Sequence, residues 1–184
     1  MNIALLRAIT VKEYLALSNV QGDRPRSELI NGQIVAMSPE RADHNRSKLA
    51  TCMALIRAVK EAGLPCEVFT DGMTVPVDAY TAYEPDALVH CGAPIAPEQL
   101  VVPAPLIVVE VISPTSAHSD TSAKLIGYFR LASVRHYLLV DPRARAVTHH
   151  ARDAAGAMSV QTLSSGTLRL DPPGFDIDVA DILR

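Results

Sequence analysis

The sequence predicts an α/β (α+β) fold in which helices flank a mixed β-sheet. The segment ELINGQIVAMSP contains two short apolar runs joined by Asn31-Gly32, a pair typical of tight hairpin turns. Residues 106–112 and 135–140 are apolar and β-branched, and the helical pattern of residues 119–132 separates them. A hairpin followed by a β–α–β unit predicts antiparallel and parallel strands in one sheet. The length of 184 residues, 48% of them apolar, predicts a single domain over residues 1–184.

Two helices are predicted before the β–α–β unit. Thr10 and Glu13 form a capping-box pattern that opens a short helix through about Ser18. Asp43 is suited to cap a long helix that ends before Gly63. Apolar residues spaced for one face of this long helix predict its buried side. They are Leu49, Cys52, Met53, Ile56 and Val59.

The other strands are predicted from short apolar runs between turn residues. Residues 66–77 indicate strands around the Asp71-Gly72 turn, and residues 84–90 indicate another strand. Residues 146–151 and 158–163 are typical of a closing meander, and residues 176–184 of a small terminal helix.

Composition limits the possible classes of protein. The formal net charge is −3, so nucleic acid would have to bind at a local basic patch. The three cysteines are an odd number without CxxC spacing, which argues against a disulfide framework or a zinc knuckle and favours a reducing compartment. No apolar run reaches membrane-spanning length, and the first residues lack a signal-peptide pattern. We therefore expect a cytoplasmic protein without a membrane partner.

Glu110 is a charged residue in the otherwise apolar strand 106–112. A buried carboxylate is costly unless a cation or a hydrogen-bond network receives it. Asp86 begins a neighbouring predicted strand after Pro85, so both carboxylates are expected to bind one Mg²⁺ or Mn²⁺ ion. Lys124 lies one turn into the following helix, where its ammonium would orient water or stabilise developing phosphorane charge.

Several segments together resemble the Uma-two family of restriction-type endonucleases, from about residue 10 to 183. These segments are ELINGQIVAMSP, a helix with His44, EPDALV, PLIVVEVISPTSAHSDTSAKLIGYF and RHYLLVDP. The family is placed in the PD-(D/E)XK nuclease superfamily, so the resemblance implies a restriction-endonuclease-like core and a magnesium-dependent endodeoxyribonuclease.

The resemblance also implies roles for individual residues. Asp86 matches the aspartate of the PD element, and Glu110 matches the second acidic metal ligand. The superfamily expects a lysine two residues later, where Ile112 stands, and Lys124 takes its place as a lysine moved to the helix. Glu28 matches an additional acidic catalytic position, and His44 matches a position at the mouth of the site.

DNA is the expected partner, duplex rather than single strand because aromatic residues are only 4%. His44, Arg46 and Arg57 are the predicted DNA-binding residues, His44 from the resemblance and the two arginines because they share one side of the long helix. The alternative is that these arginines are ordinary solvated charges balanced by acidic residues. A homodimer is expected, because two copies would offer one site for each strand of a duplex; a dimer would also suit a self-associating structural protein.

Other interpretations of the same residues stay open. Glu110 would be structural if it paired with Arg130 or Arg135. Ser113, His118 and Asp120 have the residue types of a catalytic triad, but they lie in one short loop. For the whole protein, the alternatives are a catalytically inactive nucleic-acid-binding or regulatory module and a self-associating structural protein.

Overall fold

The architecture is a six-stranded mixed β-sheet with helices on both faces and a smaller four-stranded sheet beside it. A computed structural model of the protein describes residues 7–20, 26–113 and 118–184. The helices are α1 (Val11–Val20), α2 (Ala42–Glu61), α3 (His118–Arg130) and α4 (Val179–Ile182). The strands are β1 (Ser27–Ile30), β2 (Gln33–Ala36), β3 (Cys66–Thr70), β4 (Val75–Pro76), β5 (Ala82–Tyr83), β6 (Ala87–Cys91), β7 (Ile107–Val111), β8 (His136–Asp141), β9 (Ala146–Arg152), β10 (Met158–Leu163), β11 (Thr167–Leu170) and β12 (Phe175–Asp178).

The large sheet has the strand order β10-β9-β8-β7-β6-β3. β7 and β8 are parallel and are joined through α3, as the predicted β–α–β unit requires, while the other neighbours are antiparallel. β7 is buried at all five residues, which explains its nearly continuous apolar sequence. The predicted fold class is therefore confirmed.

The two faces of the large sheet carry separate hydrophobic clusters. On one face, α2, β12 and α4 pack against the sheet through residues such as Leu55, Val59 and Ile182. On the other face, Tyr128 of α3 packs with Val108 and Tyr137 of the sheet. Since β7 lies between both clusters, a polar side chain on this strand has little access to water.

The predicted hairpin at Asn31-Gly32 joins β1 and β2, which belong to the small sheet of order β2-β1-β5-β4. Asn31 and Gly32 both have positive φ, the backbone conformation that a two-residue type I′ hairpin turn requires. The Asp71-Gly72 turn is different, because β3 joins the large sheet and β4 joins the small one.

Of the two predictions about α2, the buried face was wrong in part and the N-cap was wrong. Cys52 and Val59 are buried as predicted, at 8% and 6% exposure. Leu49, Met53 and Ile56 are 60%, 53% and 49% exposed, whereas Leu55 is fully buried. The sheet packs against a neighbouring side of the helix that consists mainly of small and polar residues. Arg41, not Asp43, occupies the N-cap position, and its side chain makes no capping hydrogen bond.

The cysteines and the C-terminus also differ from expectation. Cys66 and Cys91 lie opposite each other on β3 and β6 and form a disulfide, while Cys52 is a buried thiol. The odd cysteine count therefore reflects one pair and one free thiol, and it does not support the predicted reducing compartment.

Within the predicted terminal helix, Asp176 belongs to β12 and only Val179–Ile182 is helical.

Among the described residues, no helix is both long enough and apolar enough to cross a membrane.

Candidate active site

Asp86 and Glu110 lie side by side at one end of β6 and β7. Ala87 pairs with Val109 in the antiparallel register of these strands, and the next step places Asp86 opposite Glu110. Both side chains are almost fully buried, at 5% and 8% exposure. Two carboxylates separated by 24 positions along the chain thus become cross-strand neighbours.

Glu110 is held by two residues of α3. The Lys124 ammonium donates to both carboxylate oxygens at 3.1 and 3.2 Å, and the Tyr128 hydroxyl donates to Oε1 at 2.9 Å. Lys124 and Tyr128 are four residues apart, so they project from the same side of the helix. The alternative in which Glu110 pairs with Arg130 or Arg135 is not observed. Arg130 pairs with Asp78, and Arg135 donates to the backbone carbonyl of Asp153.

Glu28 completes the environment of Lys124. Its Oε1 atom lies 2.9 Å from the Lys124 Nζ atom and accepts a hydrogen bond from the backbone N–H of Glu84 at 2.9 Å. The Lys124 ammonium also lies 5.7 Å from the ring centroid of Tyr83. The hairpin strand β1 and the helix α3 therefore meet at a lysine between two buried carboxylates.

Asp86 is oriented by the next strand and by α2. Its Oδ2 atom accepts a hydrogen bond from the backbone N–H of Val111 at 2.7 Å. Its Oδ1 atom lies 3.4 Å from both the His44 Nε2 atom and the Lys48 ammonium. Lys48 is itself buried and lies 2.6 Å from a carboxylate oxygen of Glu40.

These ion pairs form two clusters, which adjoin where Asp86 lies opposite Glu110 and where the backbone N–H of Glu84 donates to Glu28. Together, here called the charge network, they contain six carboxylates and three cations. Its formal charge is therefore −3, and three of its carboxylates, Glu28, Asp86 and Glu110, are buried. The carboxylates are Glu28, Glu40, Asp71, Glu84, Asp86 and Glu110, and the cations are Arg26, Lys48 and Lys124. An excess of buried carboxylates with oxygen donors fits a hard divalent cation.

The protonation of the network follows from burial and neighbouring charge. Burial raises the pKa of Glu110 to about 8; the charges of Asp86 and Glu28 act in the same direction, and Lys124 opposes them. Burial also tends to raise the pKa of Asp86, but the bonds from His44 and Val111 outweigh it and lower that pKa. Burial disfavours the Lys124 ammonium, yet Glu110 and Glu28 raise its pKa. The two carboxylates thus differ in proton affinity, because burial and two neighbouring carboxylates disfavour ionised Glu110, whereas His44, the backbone N–H of Val111 and Lys48 stabilise ionised Asp86.

A cavity of about 590 Å³, here called the acid cavity, opens onto these groups. The structure brings the predicted residues Glu28, His44, Asp86, Glu110 and Lys124 together in its lining. Glu40, Arg41, Ser113, Thr121 and Tyr137 also contribute to it.

The predicted DNA-binding arginines lie elsewhere. Arg46 and Arg57 line a separate cavity of about 170 Å³ on the outer side of α2. Arg57 pairs with Asp181 at 2.9 Å. Arg41 is the arginine that borders the acid cavity, and it is exposed. The side chains of His118 and Asp120 fall outside the described residues, so the triad alternative has no described geometry.

Comparison with known proteins gives the relationship of the chain. The profile of the Uma2 family, described as "Putative restriction endonuclease", matches residues 11–180. The chain belongs to the Uma2 family. The family's description supports a nuclease function, and the carboxylates and lysine of the acid cavity lie within the matched range.

Two curated proteins that are similar to this chain come from Synechocystis sp. "Uncharacterized protein sll1609" is 26% identical over 153 residues, which cover 82% of this chain and 84% of the relative. "Uncharacterized protein slr1290" is 25% identical over 178 residues, which cover 96% of this chain and 92% of the relative.

A solved structure from Anabaena variabilis, described as a "putative nuclease belonging to DUF820", has a similar fold. The TM-score is 0.75 at 16% identity, and the match covers 95% of this chain and 97% of the other. At this identity the likeness concerns the fold.

Three residues of the site were missed from the sequence. Tyr128 had a signal, because it lies four residues after Lys124 and therefore on the same side of α3. Lys48 had the same relation to His44 on α2. Glu40 lies in the segment before α2 and had no such signal, since only the tertiary structure brings it to Lys48 and Asp86.

Proposed function

We propose that this protein is a metal-dependent endonuclease that hydrolyses phosphodiester bonds of duplex DNA. The observation that carries the proposal is the pair Asp86 and Glu110, which lies beside Lys124 in one solvent-accessible cavity. Family membership supports nuclease chemistry, and the carboxylate excess supports Mg²⁺ or Mn²⁺ as the cofactor.

Asp86 and Glu110 would hold the metal ion through their carboxylate oxygens. When bound, the ion supplies positive charge to a phosphoryl oxygen and acidifies a water molecule. The backbone N–H of Val111 fixes the orientation of Asp86, and the Tyr128 hydroxyl fixes that of Glu110.

Lys124 would provide the second positive group of the reaction. Its ammonium lies within hydrogen-bond distance of Glu28 and Glu110. These two ion pairs fix the position of the ammonium although the lysine side chain is flexible. There it orients the attacking water or stabilises negative charge that develops on the phosphoryl oxygens. Glu28 supports the cluster by pairing with Lys124 at 2.9 Å.

The DNA contacts are a further part of the proposal. His44 lines the acid cavity, and Arg46 and Arg57 on the outer side of α2 would contact phosphates farther from the cut bond. Arg57 would have to exchange its pairing with Asp181 for a phosphate. We also propose a homodimer, in which each copy cuts one strand, and light scattering of the purified protein tests it.

Plasmid cleavage with Mg²⁺, with Mn²⁺ and with EDTA tests the proposed function. We expect cleavage that requires the metal and that Asp86→Asn, Glu110→Gln and Lys124→Met each reduce by at least about a hundredfold. Glu61→Gln is the matched control, because it removes an exposed carboxylate of α2 that does not line the acid cavity.

DNA and RNA substrates of equal length, single-stranded and duplex, would establish the substrate class. DNA binding that is indifferent to magnesium and to Glu110→Gln, without any cleavage, would reject the enzyme in favour of an inactive binding module.

A further inference from the structure

The carboxylates of Glu40 and Asp86 meet the imidazole of His44 within the acid cavity. We propose that these three side chains form a second divalent-cation site, and that its imidazole ligand favours Mn²⁺ or Zn²⁺ over Mg²⁺. The inference deepens the proposed function and rests on it, because Asp86 would serve both the first ion, shared with Glu110, and the second.

The spacing of the donor atoms supports this site. One donor atom from each of the three residues lies within 4.8 Å of the other two. Donors on opposite sides of an octahedral ion are about 4.2 Å apart, so small movements would bring all three to one ion. The 3.4 Å between the His44 Nε2 and Asp86 Oδ1 atoms is long for a charge-assisted hydrogen bond. It equals the distance of about 3.4 Å between two ligands of a tetrahedral ion with bonds of about 2.1 Å.

The hydrogen bonding of His44 is a second, independent observation. The residue is only 9% exposed, and its Nδ1 atom has no hydrogen-bond partner among the described residues. Within the described part of the chain, the contact observed for its other ring nitrogen, Nε2, is the long one with Asp86. A buried imidazole without a hydrogen bond of ordinary length is unusual, and coordination through Nε2, the nitrogen next to Asp86, would give the ring the strong polar contact that it lacks.

The ammonium of Lys48 is the main group that would compete with a second ion. Lys48 and Arg26 both donate to the Oε1 atom of Glu40, at 2.6 and 3.0 Å. Within the described part of the chain, the Oε2 atom of Glu40 accepts no hydrogen bond or ion pair and is therefore available as a ligand. Since the network carries a formal charge of −3, two divalent ions would change it to +1, which suits a phosphate.

The donor set determines which metal is favoured. The first pair, Asp86 and Glu110, offers only oxygen, the donor that Mg²⁺ prefers. Imidazole nitrogen is a softer donor and raises affinity for first-row transition ions relative to Mg²⁺. The two positions should therefore differ in metal preference although they share a carboxylate.

Titration of Mn²⁺ into the metal-free full chain, followed by electron paramagnetic resonance, tests the inference. We expect two bound ions in the wild type and one in Glu110→Gln, and the remaining ion should show hyperfine coupling to the ¹⁴N of an imidazole. His44→Phe should bind one ion without that coupling. Zn²⁺ should displace the nitrogen-coupled ion at concentrations at which Mg²⁺ does not. Asp43→Asn is the matched control, because it changes an exposed neighbour in the same helical turn.

The outcomes separate this inference from the proposed function. A single ion in the wild type that Glu110→Gln loses and His44→Phe retains would overturn the second site and leave the proposed function intact. Absence of nitrogen coupling in Glu110→Gln would also overturn it. Full binding and cleavage by Glu110→Gln would instead refute the first ligand pair, while the His44→Phe result would still decide the second site. Circular dichroism of each variant confirms folding.

Discussion

Replacing Gly127 with alanine should destabilise the protein, although the same change stabilises most exposed helix positions. Gly127 is buried in α3, and a Cβ atom there would lie 2.6 Å from the Tyr83 Cε2 atom and 2.9 Å from its hydroxyl oxygen. Tyr83 is only 6% exposed, and its ring packs against that of Tyr128 with 5.2 Å between centroids. Because Tyr128 donates to Glu110, Tyr83 cannot move aside without disturbing the acid cavity.

The magnitude follows from two opposing contributions. Alanine gains about 1 kcal/mol over glycine in helix propensity. Overpacking of a filled interior costs about 1–3 kcal/mol, and contacts under 3 Å with an aromatic ring place this site at the upper end. We therefore expect a net loss of about 1–2 kcal/mol in the free energy of unfolding.

Urea unfolding of the wild type and Gly127→Ala at pH 7.5 measures this difference. Ala123→Gly is the matched control, since Ala123 is exposed on the same helix and should lose only about 1 kcal/mol through propensity. A Gly127→Ala variant as stable as the wild type, or more stable, would show that the close approach of α3 to Tyr83 does not limit this position.

Three further predictions concern stability outside the acid cavity. The pKa of His149 is lowered from 6.5 to about 4, first by burial and then by the charges of neighbouring histidines, so the folded state loses stability as pH falls from about 6.5 towards 4. Glu110, with its raised pKa, contributes in the opposite direction over the same pH range, so the comparison of wild type with His149→Gln isolates the histidine. The free energy of unfolding of the wild type, relative to that of His149→Gln, should fall by roughly 2 kcal/mol between pH 7.5 and 5, and an identical pH dependence of the two proteins would contradict the prediction. Reduction of the Cys66–Cys91 disulfide, which spans 25 positions, should cost about 3 kcal/mol, measured by unfolding with and without dithiothreitol. In the control variant Cys66→Ser/Cys91→Ser, dithiothreitol should not change the free energy of unfolding. Arg152 donates to three backbone carbonyls at and after the end of α3, so Arg152→Met should lower the free energy of unfolding by about 2–3 kcal/mol. The control Arg143→Met changes an exposed arginine and should alter the melting temperature little. Equal melting temperatures of the two variants would refute this prediction.

The acidic site was predictable because its signal is local. A single carboxylate in an apolar strand, such as Glu110, requires a compensating partner wherever the strand lies in the fold. The β–α–β order then limits which residues can reach it, since α3 returns across the sheet and brings Lys124 near the end of β7. These two arguments identify Glu110 and Lys124, and the resemblance to a known family adds Glu28 and His44.

The sequence by itself therefore determined the order of the elements, the mixed sheet and the main polar residues of the acid cavity. The tertiary structure decided which side of α2 is buried, because the periodicity of Leu49, Met53 and Ile56 marks an apolar side but not the surface that covers it. It also decided the pairing of Cys66 with Cys91 and the meeting of Glu40 with His44 and Asp86. Such contacts join segments far apart in the chain, and they depend on strand register and helix packing, which the local sequence pattern does not specify.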